Sequence, residues 1–144
     1  MLIGEYTHVL DSKKRVSLPA KFRKLLGKKL VVTHGLDNCL FLYPQKEWKE
    51  ISAKLAGLGM AQADTRGFNR FILSGAVEVE VDAAGRILLP DFLREFGQLS
   101  DRVVLAGVYN RVEIWNEERW RQYKQRIEQQ ADKMAEKLGE AGML

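Results

Sequence analysis

One stretch of the sequence occurs twice, as GEYTHVLDSKKRVSLP at residues 4–19 and as GAVEVEVDAAGRILLP at residues 75–90. The two copies lie 71 positions apart and share a glycine, an aspartate, an arginine, a leucine and a proline in register. The similarity resumes after a one-residue slip, because residues 31–43 match residues 103–115. A small unit that is duplicated within one chain usually cannot bury its own apolar face, so the two copies are expected to share a core.

Size and composition restrict the class of protein. The chain has 144 residues, 46% of them hydrophobic and 29% charged, as in one soluble globular domain or two very small interdependent ones. Charges interrupt every apolar run, so neither a membrane span nor a membrane partner is expected, and the first residues lack the apolar core of a secretory signal. Cys39 is the only cysteine, which excludes an intrachain disulfide. We therefore expect a cytoplasmic protein.

Positive charge is concentrated in the first copy. Residues 11–30 contain one acidic residue and eight basic ones, namely Lys13, Lys14, Arg15, Lys21, Arg23, Lys24, Lys28 and Lys29. The equivalent residues 82–102 contain three basic and four acidic residues. Copies with such unlike charge are expected to have different roles, and the first is suited to binding a polyanion.

Each copy reads as two strands joined by a tight turn. Apolar and acidic residues alternate strictly over residues 77–81, which is the pattern of a half-buried strand. Asp82 is suited to accept hydrogen bonds from turn N–H groups, and Gly85 suits the left-handed position that closes a three-residue hairpin. Lys14 stands at that position in the first copy, where a positive φ costs about 1 kcal/mol. We therefore expect the basic side chain at this turn to have a functional role.

Short helices and a second hairpin follow in both copies. The helices are expected to begin at Pro19 and Pro90, because proline is favoured in a first helical turn, and to end at the glycine caps Gly27 and Gly97. Each hairpin consists of two apolar runs around a Gly/Asx turn. The predicted strands lie at 30–33, 39–43, 103–105 and 112–115, and the predicted turns at 35–38 and 107–110.

Both copies end on a longer helix. Pro44 opens the first, and Asn116 caps the second, whose apolar residues recur at three- and four-residue steps: Trp120, Tyr123, Ile127, Ala131, Met134 and Leu138. Two small units cannot cover so long a stripe, so its distal part is either solvated or braces a neighbouring subunit. The predicted division is a first unit at 1–56, a linker with a short helix from Asp64 at 57–74, and a second unit at 75–144.

These motifs resemble those of the MraZ family over nearly the whole chain. A lone Asp-x-x-x-Arg has little specificity, but two at this spacing, each before a proline-led helix, are quite specific. The segments that carry the resemblance are GEY at 4–6, DSKKR at 11–15, LPAKFR at 18–23, GLD at 35–37 with CL at 39–40, FILSG at 71–75 and DAAGR at 82–86. Lys14 departs from the family's usual Asp-x-Lys-Gly-Arg turn at the glycine.

The resemblance implies both a fold and a function. The implied fold is α+β, mainly β, with two tandem swapped-hairpin units of the AbrB/SpoVT type forming one intramolecular pseudo-dimeric β core with flanking helices. Proteins of this family are bacterial transcriptional regulators linked to a division and cell-wall gene cluster. The resemblance further implies closed-ring homo-oligomers that bind double-stranded DNA at short direct repeats in a promoter.

The candidate DNA-binding residues lie mainly in the first copy. Arg15 is the best candidate for reading bases, because a guanidinium can donate to two acceptors of guanine at once. Lys13 and Lys14 share its turn and suit phosphate groups. Lys21 and Arg23, in the helix that follows, are consistent with a solvated helix face and also with phosphate contact, which their density next to the turn favours.

The remaining motif residues are expected to shape the turns. Asp11 and Asp82 each stand at the start of a turn, and Gly85 occupies the left-handed position of the second. Arg86 is equally consistent with a structural ion pair and with a DNA contact.

Other reactive side chains form no recognisable site. His8, His34 and Cys39 have no second cysteine and no i, i+4 partner, so a metal site is not expected. Glu78 and Glu80 share a strand face, which indicates a solvated face or a subunit contact rather than a catalytic pair. The sequence has no Gly-rich phosphate loop and no nucleophile elbow. We therefore expect no enzyme and no cofactor.

The residues themselves predict a duplicated β-hairpin and helix protein with one basic face. The resemblance to the MraZ family implies in addition a cytoplasmic, nucleoid-associated regulator that binds specific DNA, acts as a repressor and assembles into a homo-oligomeric ring. An alternative from another class is a ring-forming assembly module whose basic face docks an acidic protein. RNA binding is a third possibility, although no aromatic stacking platform lies among the basic residues.

Overall fold

The computed structural model describes residues 1–144, and equivalent elements follow one another in the two copies. The first copy contains β1 (Leu2–Val9), β2 (Arg15–Ser17), α1 (Ala20–Leu26), β3 (Lys29–His34), β4 (Leu40–Pro44) and α2 (Gln45–Ala56). A further helix, α3 (Ala63–Leu73), leads into the second copy. That copy contains β5 (Val77–Glu80), β6 (Arg86–Leu88), α4 (Asp91–Gly97), β7 (Arg102–Tyr109), β8 (Val112–Asn116) and α5 (Glu117–Glu140).

The strands of the two copies are interleaved in antiparallel sheets. The larger sheet has the order β1-β7-β8-β4-β3-β5, and β2 pairs with β6 in a separate two-stranded sheet. Four of the six strand pairs, β1–β7, β2–β6, β3–β5 and β4–β8, join one copy to the other. Backbone hydrogen bonds between the copies therefore hold the structure together, and the fold is mixed α+β and mainly antiparallel β.

The main core is also shared by the two copies. A cluster of 19 buried residues includes the repeat partners Val16 and Ile87, which face each other across β2 and β6 and are fully buried. Phe22 of α1 and its counterpart Leu93 of α4 are likewise fully buried. Because each copy supplies the apolar groups that the other covers, the hydrophobic effect stabilises the pair rather than either copy alone.

A smaller aromatic cluster involves the two longer helices. Its buried members are Cys39, Phe41, Tyr43, Val104 and Trp115, which come from β4, β7 and β8. Trp48 of α2 and Trp120 of α5, which are repeat partners, pack against it. The centroid of the Trp120 ring lies 5.3 Å from that of Trp115.

The distal part of α5 extends beyond this cluster. Trp120 and Tyr123 contact the core, as predicted for the first half of the apolar stripe. No residue of α5 is buried, and Ala131 and Leu138 are exposed. No helix in the chain is both long enough and apolar enough to cross a membrane.

Two predicted glycine positions differ in the structure. Gly97 is the last residue of α4 rather than its cap, and Gln98 takes the left-handed conformation instead. A Cβ at Gly97 would lie 3.3 Å from the Leu99 side chain, so the glycine permits close packing at the end of this helix. The predicted turn at 107–110 is shorter, since β7 continues to Tyr109. Gly107 is needed for close strand approach, because a Cβ would lie 2.7 Å from the Ile3 backbone nitrogen on β1.

Candidate nucleic-acid interface

The first turn is closed by one carboxylate. Asp11 Oδ1 accepts hydrogen bonds from the backbone N–H groups of Lys13 and Arg15, at 2.8 and 2.9 Å. Asp11 Oδ2 accepts from Arg15 Nε at 3.2 Å, so the same side chain holds the guanidinium. Lys14 has a φ of 63°, the left-handed conformation that its equivalence with a glycine predicts.

The second turn repeats this arrangement. Asp82 Oδ1 accepts from the backbone N–H groups of Ala84 and Arg86, both at 2.9 Å. Asp82 Oδ2 accepts from Arg86 Nε at 3.0 Å. Gly85 has a φ of 79° and takes the position that Lys14 holds in the first turn. The arginine side chains of both turns are thus held by local carboxylates.

The two turns lie side by side and form one structure, which we call the paired turns (residues 11–15 and 82–86). Backbone hydrogen bonds run across it from Leu18 N–H to Gly85 O and from Leu89 N–H to Lys14 O. Ion pairs cross it as well, from Arg15 Nη1 to Asp82 Oδ2 at 3.8 Å and from Arg86 Nη1 to Asp11 Oδ2 at 3.9 Å.

The aspartates of the paired turns are stabilised as carboxylates. The backbone N–H of Arg15, followed by that of Lys13 and the Arg15 guanidinium, holds the pKa of Asp11 below its usual range. The N–H of Arg86, with that of Ala84 and the Arg86 guanidinium, lowers the pKa of Asp82 in the same way. Each aspartate therefore balances the charge of its arginine at neutral pH.

Uncompensated positive charge surrounds the paired turns on the side of the first copy. Apart from Arg15, the cations at the first turn and on α1 are exposed and make no ion pair: Lys13, Lys14, Lys21, Arg23 and Lys24. The three cations of α1 face solvent because its apolar residues Phe22 and Leu26 are buried against the core. Lys29 lies further away, at the start of β3, opposite Glu80 in the backbone register of β3 with β5.

The equivalent surface of the second copy is not basic. The positions that match Lys13, Lys14, Ser17 and Lys21 are occupied by Ala84, Gly85, Leu88 and Phe92. Leu88 and Phe92 are 56% and 45% exposed. The basic surface therefore belongs to one copy, although the turn beneath it is built from both.

The structure also places the other reactive side chains. His34 stacks on Phe71 with ring centroids 4.5 Å apart, and Cys39 is buried with its thiol donating to Leu36 O. Burial raises the pKa of the Cys39 thiol far above its usual range. No group of three or more histidine, cysteine, aspartate or glutamate side chains is arranged to hold a metal ion.

One contact at this surface was not predicted from the sequence. The Arg23 side chain of α1 reaches over the second turn, where a Cβ built on Gly85 would lie 2.1 Å from Arg23 Nη1. The sequence gives no signal for it, because the contact depends on the packing of α1 of one copy against the turn of the other.

Comparisons with known proteins match the same family over nearly the whole chain. The sequence profile of the family described by the words "MraZ protein, putative antitoxin-like" matches twice, at residues 1–71 and 72–140. The transcriptional regulator MraZ of Natranaerobius thermophilus is 51% identical over 138 residues, covering 96% of each chain. The protein of the same name from Desulforamulus reducens is 50% identical over 138 residues, covering 96% of this chain and 97% of its own. That of Caldicellulosiruptor saccharolyticus is 49% identical over 143 residues, or 99% of this chain and all of its own. With two profile matches and relatives of this similarity, the chain belongs to the MraZ family.

Proposed function

We propose that this protein is a sequence-specific DNA-binding transcriptional regulator, and that the paired turns with α1 form its DNA-binding surface. The observation that carries the proposal is the group of exposed, unpaired cations beside the paired turns. Duplex DNA is a dense polyanion, and release of its counterions drives the binding of such a surface. The family relatives named above are transcriptional regulators by name.

Arg15 has the geometry expected of a base-reading residue. Its Nε is held by Asp11, so its orientation is fixed while the Nη groups have only one distant ion pair, at 3.8 Å. A pre-oriented guanidinium loses little rotamer freedom when it donates to guanine. Lys13 and Lys14 are point charges suited to the flanking phosphates, as are Lys21 and Arg23 on α1. Arg86 has the same local geometry and is a second candidate for DNA contact.

Membership of the family and the interleaved strands support further proposals about the assembly of the protein and its target on DNA. We infer that the two copies form a pseudo-dimer of swapped hairpins and that several chains assemble into a homo-oligomeric ring. A ring presents several basic surfaces to short direct repeats in a promoter, and the second contact then benefits from a high effective concentration. The proposed activity is repression of a division and cell-wall gene cluster, carried out in the cytoplasm at the nucleoid.

Fluorescence anisotropy tests this function. The native protein is titrated against a labelled duplex of direct repeats from the promoter of the division cluster, against a scrambled duplex and against single-stranded RNA, each at two salt concentrations. Preference for the repeat duplex, with an affinity that falls steeply as salt rises, is expected. Equal binding to all three, or no binding, contradicts the proposal and favours the protein-docking alternative.

Replacement of Arg15 by alanine should weaken binding to the repeat duplex by roughly 5- to 150-fold and reduce sequence preference, as expected for loss of a bidentate base contact. The matched control is Arg121→Ala, which removes an exposed arginine of α5 that pairs with Glu118. Arg121→Ala should bind as the native protein does. Unchanged affinity and preference in Arg15→Ala would remove Arg15 from the interface.

A further inference from the structure

Gly85 is buried beneath an arginine of the other copy. A Cβ at this position would lie 2.1 Å from Nη1, 2.8 Å from Cζ and 2.9 Å from Cδ of Arg23. These distances are far shorter than van der Waals contact, so a side chain at residue 85 and the present position of Arg23 exclude each other. The Arg23 guanidinium thus occupies the space that the missing side chain leaves.

Backbone conformation alone does not account for this glycine. The equivalent residue of the first turn, Lys14, adopts a φ of 63° with a full side chain, close to the 79° of Gly85. A positive φ costs a non-glycine residue only about 1 kcal/mol, and the first turn tolerates it. What distinguishes the second turn is the arginine that lies over it.

The contact exists in one direction only. Arg94 is the counterpart of Arg23 in the second copy, but it does not lie over the first turn, because its Nε donates to Leu89 O at 3.1 Å and its Nη2 pairs with Asp91. Only the first copy therefore contributes a free guanidinium to the paired turns, and only the second turn makes room for it.

We propose that Gly85 is a positioning residue for DNA binding, which seats the Arg23 guanidinium over the second turn, where it binds a backbone phosphate of the duplex. Arg15 and Arg86 are balanced by Asp11 and Asp82, whereas Arg23 has no carboxylate partner. Its charge is therefore available to a ligand. In this arrangement the second turn, whose Asp82 and Arg86 balance each other, contributes to the interface because Gly85 leaves room for the Arg23 side chain. The inference rests on the proposed function, because the phosphate belongs to the DNA.

The test includes a second glycine that also has a positive φ. Gly27 has a φ of 81° and nothing within 4 Å of the Cβ it would gain, so Gly27→Ala introduces positive-φ strain at the end of α1 without a clash. Gly27→Ala, Gly85→Ala, Arg23→Ala and the double variant Gly85→Ala/Arg23→Ala are titrated against the repeat duplex over a range of salt. Circular dichroism confirms that each is folded.

Gly85→Ala should weaken binding about as much as Arg23→Ala, roughly tenfold, as expected when a hydrogen bond to a charged group is lost. Both should lower the slope of log affinity against log salt by about one, because one phosphate contact disappears. A purely structural defect reduces the active fraction but leaves this slope unchanged. Gly27→Ala should match the native protein in affinity and slope.

The double variant decides whether the two residues act together. If Gly85 acts through Arg23, the double variant should bind no more weakly than Arg23→Ala. The proposal would be overturned if the loss of affinity in the double variant equalled the product of the two single losses. It would also be overturned if Gly85→Ala kept the salt slope of the native protein. If the single variant Gly85→Ala does not fold, the double variant should still fold, because it lacks the clash with Arg23. A double variant that does not fold would also overturn the proposal. Absence of DNA binding by the native protein would instead reject the proposed function.

Discussion

Asp11 and Asp82 each combine two tasks in a single carboxylate. One oxygen accepts two backbone N–H groups and closes the turn, while the other holds the guanidinium of Arg15 or Arg86. A change in the charge of either aspartate therefore affects both the turn and the direction in which its arginine points. This is the reason that Asp-x-x-x-Arg recurs as a unit in both copies.

The lowered pKa values of Asp11 and Asp82 predict a dependence of stability on pH. Hydrogen bonds to the ionised form favour the folded state, so their contribution is complete above the unfolded pKa of 3.8 and is lost as pH falls through the lower folded value. The double variant Asp11→Asn/Asp82→Asn keeps the turn acceptors but loses the charge. It should be less stable than the native protein at pH 7, and this difference should shrink as pH falls below about 4.

Urea unfolding at several pH values between 7 and 3 measures this difference. The control is Asp132→Asn, because Asp132 is exposed on α5 and forms no ion pair. Its stability curve should follow that of the native protein at every pH. A difference between the native protein and the double variant that stays constant with pH would show that the two charges do not stabilise the fold.

Local features such as turn conformations and helix caps could be predicted from the sequence. The individual contacts between residues of the two copies could not. The left-handed conformation of Lys14 follows from its alignment with Gly85, and the α5 cap follows from Asn116 before an apolar helical pattern. The contact of Arg23 with Gly85 depends on how two distant segments pack. Gly107 was predicted in a turn because strand glycines and turn glycines look alike in sequence, and only the approach of β1 distinguishes them.

Among the elements, α5 is the only helix with a side-chain cap. Asn116 Oδ1 accepts from the backbone N–H of Arg119 at 3.0 Å, whereas α1, α2, α3 and α4 have no such bond. Asn116 Nδ2 also donates to Gln98 O at 2.7 Å, just after α4. One side chain thus starts the longest helix and connects it to the end of another.

Asn116→Ala should lower the free energy of unfolding by about 1 kcal/mol, which is the usual cost of removing a helix N-cap. Asn116→Asp serves as the matched variant, because it retains the cap acceptor, while it replaces the donor to Gln98 O with a second, negatively charged acceptor. Its stability should lie between those of the native protein and Asn116→Ala. Urea unfolding with a constant m value measures all three. Equal stability of Asn116→Ala and the native protein would contradict a capping role.

In the whole molecule, the interleaved strands make each copy depend on the other for a stable sheet. Each copy has only a two-stranded hairpin of its own in the large sheet, β3–β4 or β7–β8, and isolated hairpins are at best marginally stable in water. The two copies therefore share one core while their surfaces differ. The first copy carries the cations, while the second has Leu88 and Phe92 at the positions that match Ser17 and Lys21.

The exposed distal part of α5 is where the proposed ring can be tested. Ile127 and Met134 lie on the apolar side of the helix and are only partly covered in the single chain, so contact with a neighbouring subunit would bury them further. Ile127→Glu/Met134→Glu should reduce the mass measured by light scattering without unfolding the sheets. Affinity for the repeat duplex should fall by roughly 100-fold or more as the benefit of several linked contacts is lost.

Gln125→Glu/Gln129→Glu adds the same charge on the opposite side of α5 and should keep the native mass and affinity. Native mass in the first variant would show that α5 does not hold the oligomer together, and the distal stripe would then be a solvated surface.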